Sequence, residues 1–517
     1  MPRLYELIAA WDGSTPLELP EEGEHSGPRL VSGARDGIAT HHMASLGEAD
    51  EARQVYGVAN GLRRLVGSGG DDSWLEFVTL AGAEQVVRYA DALGSELARM
   101  GDLTEPRVAP HARRLVREAT KCEALKLGVL LLGLYGDKSD LEMLLTVGRH
   151  EEFTLFTALA VARLVPDPLP VWWRMARGLN GWGKVHLVER ICDMLEESEE
   201  SYDEIRAWLL REGCSNEVLP EYVACRCAIG GALHTTLTVS DPDDALLDGA
   251  SIIVEALMND EGPSEDMSDY EHGVRVVTSL LAHLEKRCDS VHRLSTVIRI
   301  REWNATFDQG TESRRARLES LGWSSACRAA LDATCATIIE HDRWKHIVQE
   351  AYESDDFTQR RLAWSAAEAV GVDLWDSAFR KLEQSPLDEV LYFELFQTDD
   401  AYRQRRLIAF AERNLPLDEI ACGPSLELGL GDAWRAHGCL AFALQALCCP
   451  ELFSPTLVSA GLRSPVTRVR NAAVSVLESH PAGRWKADLA EVLEVSLRTE
   501  PSEALRDRLR ALWRQGA

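Results

Sequence analysis

Apolar residues recur every three to four positions along almost the whole chain, which is the spacing of one face of an α-helix. They fall at i, i+3, i+4 and i+7 in nearly every segment, and few runs alternate strictly as a strand would. One exception is the β-branched stretch at residues 232–241, which could be extended and which leads into a helix start at Asp241-Pro242. The pattern therefore predicts an all-α fold.

Three helical segments near the middle of the chain align at a spacing of 31 residues. They are ALKLGVLLLG from Ala124, LFTALAVARL from Leu155 and HLVERICDML from His186. The sequence between the first two predicts a turn, a short helix and a break near Gly148. Each repeat is therefore expected to be two antiparallel helices joined by short turns, as in stacked repeat proteins.

The pattern returns toward the C-terminus with more specific residues. Residues 343–371 give a helix, an acidic turn and a second helix that carries Arg361 and an alanine-rich face. Residues 451–481 do the same, with Ser464-Pro465 in the turn and VRNAAVSVL in the second helix. Small residues at such positions let stacked helices approach to about 8–10 Å.

These second helices resemble those of HEAT repeats, which carry an apolar residue and Arg, then Ala-Ala, then an aliphatic pair. The resemblance covers residues 110–517 with gaps. It implies an α-solenoid of stacked antiparallel helix pairs and says little about activity, because HEAT arrays serve many roles.

The N-terminal hundred residues are less regular. Residues 17–37 are rich in Pro, Gly and Glu and are expected to form a loop, with helices following at about 49–66 and 83–100. A second acidic loop at 258–273 could divide the repeats into two arcs. The predicted organisation is an N-terminal helical segment at 1–105, a first arc at 106–258, the acidic loop at 259–273 and a second arc at 274–517.

Composition narrows the class of protein and of partner. The 83 acidic and 55 basic residues give a formal charge of −28, which disfavours nucleic acid and anionic membranes, because both bind through Lys and Arg. A basic protein partner is permitted, although an acidic surface also serves solubility. No apolar run approaches the roughly 18 residues of a membrane span, and the N-terminus lacks the apolar core of a secretory signal. We expect a cytoplasmic, bacterial-type protein.

The twelve cysteines are scattered and include no C-x-x-C pair. Most lie among apolar residues, so they are expected to be small buried side chains rather than zinc ligands. No nucleotide-binding glycine fingerprint, zinc-protease motif or nucleophile elbow is present. The sequence accordingly predicts no cofactor and no metal site.

Residues 32–47, SGARDGIATHHMASLG, are the most unusual local stretch. Asp36 with His41 and His42 could orient an acid/base pair or bind a divalent cation. Adjacent histidines on a helix point about 100° apart, so both cannot easily bind one metal. Alternatively, the glycines shape a turn and Asp36 caps the following helix.

Residues 178–185, GLNGWGKV, match the G-x-x-x-x-G-K pattern of a phosphate-binding loop. Val185 stands where that loop needs Ser or Thr, and no buried strand precedes it. We therefore expect a glycine-rich turn between two helices.

Fourteen tryptophans are a high count for this length. Aromatic side chains dominate binding hot spots, although an indole between helices is also ordinary core. The doublet at 172–173 cannot bury both rings in one direction. The candidate partner-binding residues are Trp172, Trp173, Trp182, Trp344 and Trp364.

The sequence leaves two functional hypotheses. The first is a non-enzymatic scaffold or regulator that binds a protein partner through a concave acidic and aromatic face of the solenoid. The negative charge of the chain permits a basic partner. The second is an enzyme whose active or metal site lies around Asp36, His41 and His42. The first is favoured because each catalytic motif fails in spacing or context.

Overall fold

The computed structural model describes residues 2–20, 30–42 and 47–516, and these residues form helices joined by turns and loops. The all-α prediction is confirmed. Within these ranges the extended pairing is limited to an isolated parallel bridge between Glu427 and Val466. None of the helices described combines the length and apolarity needed to cross a bilayer.

The chain divides into two compact units, Met1–His341 and Asp342–Ala517. The α-helices of the first unit are α1 Leu4–Ala10, α2 Ala34–His41, α3 Glu48–Ser68, α4 Asp71–Ala81, α5 Ala90–Arg99, α6 Glu105–Glu118, α7 Cys122–Tyr135, α8 Leu141–Val147, α9 Thr154–Leu164, α10 Leu169–Ala176, α11 Trp182–Glu197, α12 Asp203–Trp208, α13 Ala224–Gly230, α14 Leu233–Thr236, α15 Asp244–Leu257, α16 Gly273–Arg287, α17 Val291–Thr306, α18 Glu312–Ser320 and α19 Ser325–Ile339.

The second unit is built in the same way. Its α-helices are α20 Arg343–Glu353, α21 Phe357–Ala367, α22 Trp375–Gln384, α23 Glu389–Phe396, α24 Ala401–Asn414, α25 Leu417–Ile420, α26 Arg435–Ala446, α27 Pro455–Leu462, α28 Thr467–Ser479, α29 Ala482–Thr499 and α30 Glu503–Gly516. Single-turn 3-10 helices lie at Val86–Arg88, Lys138–Asp140, Pro220–Tyr222, Phe307–Gln309 and Asp432–Trp434, and a π-helical turn lies at Leu209–Gly213.

The helices pack in neighbouring pairs, as the repeat spacing predicts. The three segments aligned at 31 residues are α7, α9 and α11, which pack successively on one another, while α8 packs on α9 and α10 on α11. Gly133 of α7 shows why a small residue is needed here. A Cβ added to it would lie 2.9 Å from the backbone of Ala160 on α9, so a side chain would push the two helices apart.

The arginine of the HEAT-like segment has a structural role. Arg470 on α28 is fully buried and makes two hydrogen bonds to the carboxylate of Glu500, at 2.8 and 2.9 Å. Its third nitrogen donates to the carbonyl oxygens of Ser464 and Pro465 in the turn before α28. The side chain therefore joins its own turn to the connection between α29 and α30.

Residues 232–241 are not extended, contrary to the sequence-based expectation. They form the short helix α14 and a turn, and Ala232 itself has a left-handed backbone conformation. The Oγ1 hydroxyls of Thr235 and Thr236 both donate to the carbonyl oxygen of Ala232. Such local hydrogen bonds compete with strand formation and explain the difference.

The acidic loop at 258–273 lies inside the first unit. Met267 and Tyr270 are buried, and the Met267 amide donates to the carbonyl oxygen of Leu257 at the end of α15. In the N-terminal region an additional helix, α4, lies between the two helices that the sequence predicts. The helix expected at 83–100 is shortened to α5, with a 3-10 turn before it.

Candidate functional site

The stretch that holds Asp36 and His41 forms α2, which packs directly on α11. Residues 43–46 of that stretch, and 21–29 of the predicted loop before it, lie outside the described residues. Gly33, just before α2, has φ +78°, and a Cβ there would meet the carbonyl oxygen of Glu151 at 2.9 Å. Gly37 lies so close to the Trp182 ring that an added Cβ would come within 2.2 Å of it. Both glycines are needed for α2 to dock.

Asp36 is buried beside a fully buried lysine that three carboxylates share. The Lys126 ammonium lies 2.8 Å from Asp36 Oδ2, 3.0 Å from Glu123 Oε1 and 2.6 Å from Glu152 Oε1. Burial raises the pKa of Asp36 to about 6; the nearby Lys126 opposes this shift and the other two carboxylates add to it. The Gly33 amide completes the cluster by donating to Glu152. Asp36 thus anchors α2 to α7.

His41 makes a second anchor with Glu189 on α11. Its Nε2 lies 2.9 Å from Glu189 Oε1 and its Nδ1 lies 2.9 Å from the carbonyl oxygen of Gly37. An imidazolium can donate from both ring nitrogens to these two acceptors, and the hydroxyl oxygen of Thr40 also lies 3.0 Å from Nδ1. Burial lowers the pKa of His41, but the hydrogen bond and charge of Glu189 outweigh it and leave the pKa raised. Burial raises the pKa of Glu189, whereas hydrogen bonds from His186 and His41 bring it down to about 2.

His42 points elsewhere, with Nε2 3.0 Å from the hydroxyl oxygen of Tyr222. Asp36 therefore pairs with Lys126, whereas His41 and His42 both contact the ring of Tyr222. Each of the three ties this segment to the rest of the first unit. Over the described ranges, no cluster of three or more His, Cys, Asp or Glu side chains is arranged to hold a metal ion. This geometry favours a docking role for the three residues, and an acid/base role for them stays a prediction.

The glycine-rich segment at 178–185 is a turn between α10 and α11, in the place that the sequence predicts. Its backbone amides enclose the carboxylate of Glu151. Gly181 donates to Oε1 at 2.8 Å, Asn180 to the same oxygen at 3.0 Å, and Gly183 to Oε2. The turn has the anion-binding geometry of consecutive amides, but the chain's own carboxylate occupies it.

The candidate tryptophans fall into two groups. Trp172, Trp182 and Trp344 are buried, and the Trp172 indole donates to the carbonyl oxygen of Ala158. These three rings belong to the packed interior of their units. Trp173 and Trp364 are half-buried. A partner-binding role stays a prediction for all five, and only the half-buried pair offers a ring face to solvent.

A groove of about 670 Å³ opens in the second unit, between one face of α21 and one face of α23. Along α21 and its C-terminal end the lining positions are 357, 361, 364, 365, 367 and 368, and along α23 and its C-terminal end they are 390, 393, 394 and 397. Each helix thus contributes one side of its surface to the groove. The volume lies within the range of ligand-binding clefts, roughly 300–1,000 Å³. The lining residues are Phe357, Arg361, Trp364, Ser365, Ala367, Glu368, Val372, Asp373, Leu374, Trp375, Val390, Phe393, Glu394, Gln397, Thr398 and Arg403.

Large apolar side chains in this groove face solvent. Phe357 is 53% exposed, Phe393 50% and Val390 38%. The sequence did not single out Phe357 and Phe393, although the pattern of α23 indicates an exposed apolar side chain. Its sequence EVLYFELF carries apolar residues all round the helix, between its two glutamates. When Tyr392 is buried inside the unit, Phe393 is therefore left on the outside.

Comparison of this chain with protein family models, with curated proteins and with solved structures gave no match. The functional argument therefore rests on the residues of this chain.

Proposed function

We propose that this protein is a non-enzymatic protein-interaction scaffold built on HEAT-like stacked helix pairs, and that it holds a segment of a partner protein in the groove between α21 and α23. One observation carries the proposal: Phe357 and Phe393, half-exposed, line the same groove. Contiguous exposed apolar side chains mark interaction sites, because covering them removes apolar surface from water.

The groove has the composition of a binding hot spot. Besides the two phenylalanines it contains the half-buried Trp364 and the exposed Arg361, and aromatic and arginine side chains are enriched where binding energy concentrates. Its floor is fixed by packing, since Trp375 is buried and its indole donates to the carbonyl oxygen of Leu395. A preformed floor lowers the ordering cost of binding.

A peptide selection tests the proposal. Random linear peptides displayed on phage are selected on the full-length protein, and the enriched peptides are synthesised and titrated by calorimetry. The double variant Phe357→Ser/Phe393→Ser should weaken their binding at least tenfold, because two exposed aromatic anchors are lost. Circular dichroism and urea unfolding establish that the variant keeps the fold.

The matched control is Tyr56→Ser/Leu75→Ser, which removes two similarly exposed apolar side chains, 70% and 67% exposed, from the first unit. It should leave the affinity unchanged. The proposal is overturned if the selection enriches no peptides, or if the enriched peptides bind both double variants equally well.

A further inference from the structure

The groove contains a buried carboxyl group that lacks a salt-bridge partner. Glu394 on α23 is only 6% exposed, yet it lines both the groove and an adjoining cavity of about 190 Å³. Among the residues that the structure describes, no Lys, Arg or His forms an ion pair with it. A buried carboxylate without such a partner is unfavourable, so the site is incomplete in the free protein.

The charged groups that face Glu394 do not complete it. Burial raises the pKa of Glu394 to about 7, repulsion by Asp388 adds to the shift, and the charge of Arg360 and the nearby Tyr352 hydroxyl reduce it. Arg360 lines the adjoining cavity but makes no ion pair with Glu394 among the described residues. Two other basic groups that line the cavities already have partners: Lys381 pairs with Glu353, and Arg403 with Asp373. The remaining charged groups that line them include Asp355, Arg361 and Glu368. At neutral pH the carboxyl group is therefore partly protonated.

The walls around this carboxyl group are aromatic. Phe357, Trp364 and Phe393 line the same groove. The face of an aromatic ring attracts a cation, and the long aliphatic stem of a basic side chain packs well on apolar surface. Arg361 also lines the groove, but it is exposed, so its repulsion of a cation is screened by solvent.

We infer that the groove accepts a lysine or arginine side chain from the partner segment, with the cationic group at Glu394 and the aliphatic stem between Phe357 and Phe393. The inference rests on the proposed function and adds the chemistry of the partner: a basic residue flanked by apolar ones. The partner cation supplies the charge that Glu394 lacks, and the carboxyl group releases its proton on binding.

The selected peptides test this inference. They should contain Lys or Arg, and replacing that residue by norleucine should weaken binding to the wild type at least tenfold. In the Glu394→Gln variant the two peptides should differ by less than about threefold, because the neutral amide cannot pair with the cation. Glu368→Gln, which removes an exposed carboxylate from the same groove, should keep the full difference.

Proton release gives a second readout that needs no variant. Calorimetry in two buffers of different ionisation enthalpy should detect proton release by the wild type near pH 7 with the lysine peptide and none with the norleucine peptide. Below pH 6 the affinity for the lysine peptide should fall by up to tenfold for each pH unit.

The outcomes separate the two proposals. If the enriched peptides need Phe357 and Phe393 but lack a basic residue, or bind without releasing a proton, the inference about Glu394 is overturned and the scaffold stands. If no peptide depends on the two phenylalanines, the proposed function itself fails.

Discussion

The lysine cluster of the first unit and the groove of the second unit treat buried carboxyl groups in opposite ways. Met1–His341 contains 56 acidic and 34 basic residues, whereas Asp342–Ala517 contains 27 and 21. In the more acidic first unit, the buried carboxylate of Asp36 and the partly buried carboxylates of Glu123 and Glu152 share Lys126. In the second unit, Glu394 is buried without a cation and opens on an aromatic groove.

The presence or absence of a counter-charge distinguishes a structural carboxyl group from one that can bind a partner, and net charge does not. A buried charge whose partners come from the same chain is compensated, so it fixes the position of an element, as Asp36 does for α2. An uncompensated carboxyl group that opens on a groove is available to a partner. The abundance of acidic residues therefore says little about where a basic partner would bind.

The largest expected effect comes from removing the shared cation of the first unit. Lys126→Ala leaves the buried carboxylate of Asp36 and the partly buried carboxylates of Glu123 and Glu152 without their shared cation. We expect a loss of about 5 kcal/mol in the free energy of unfolding of that unit. Urea unfolding measures it, with hydrogen exchange to assign the transition.

Lys138→Ala is the control, because Lys138 is exposed and should change stability by less than about 0.5 kcal/mol. Similar values for the two variants would mean that the lysine cluster does not hold the first unit together, and the contrast with Glu394 would be lost.

Within the second unit, a pair of tryptophans separates core from groove. Trp344→Ala should cost about 3–5 kcal/mol of unfolding free energy, because the ring is fully buried. Trp364→Ala should cost about 1 kcal/mol, since half of its surroundings is the open groove, but it should weaken the selected peptides. Urea unfolding and calorimetry measure the two quantities. Equal losses of stability would show that Trp364 is core as well.

The smallest expected effect is a pH dependence in the docking of α2. The folded pKa of Asp36 is about 6, above its ordinary 3.8, and that of His41 is also raised. A group with a raised folded pKa binds its proton more tightly when folded, so stability falls as the pH rises through that pKa. Asp36 therefore weakens docking mainly as the pH rises from about 4 to 6, and His41 does so above its ordinary pKa of 6.5. Between pH 5 and 8 Asp36 alone contributes about 1.4 kcal/mol.

Hydrogen exchange of the α2 amides, corrected for the intrinsic pH dependence of exchange, should show lower protection at pH 8 than at pH 5. Asp36→Asn should remove most of the loss of protection that occurs up to about pH 6. His41→Gln should remove the loss that occurs at higher pH. Protection that rises with pH in the wild type would contradict the ionisation states described here.

The sequence predicts local features of this fold well. Helices α7, α9 and α11 follow from the 31-residue spacing, because helical periodicity is carried by neighbouring residues. Arg470 was recognisable as a HEAT-like position, but its partner Glu500 was not, since the pairing depends on how the next helices pack. The expectation that residues 232–241 are extended is wrong, because the threonine hydroxyls form hydrogen bonds with the local backbone.

The candidate sites were harder to predict for the same reason. The sequence singles out Asp36 and His41, but their partners Lys126 and Glu189 lie 90 and 148 residues away in the chain. Composition cannot show whether a tryptophan is inside or outside, and Trp344 and Trp364 differ only through the packing of their helices. Nothing in the sequence marks Glu394, because its interest lies in being buried without an ion-pair partner, and that depends on how the helices pack.

The path of the N-terminal segment has a consequence for how the first unit unfolds. Its residues bond, in order, to Ala119, to Arg149 and His150, to Glu152, to Glu189 and finally to Tyr222. Repeat proteins usually lose structure one repeat at a time, because each repeat contacts only its neighbours. A segment that spans several helix pairs couples distant repeats, so fraying at any one of them strains the whole segment. The helices between Ala119 and Tyr222 should therefore melt together with the N-terminal segment as one cooperative block.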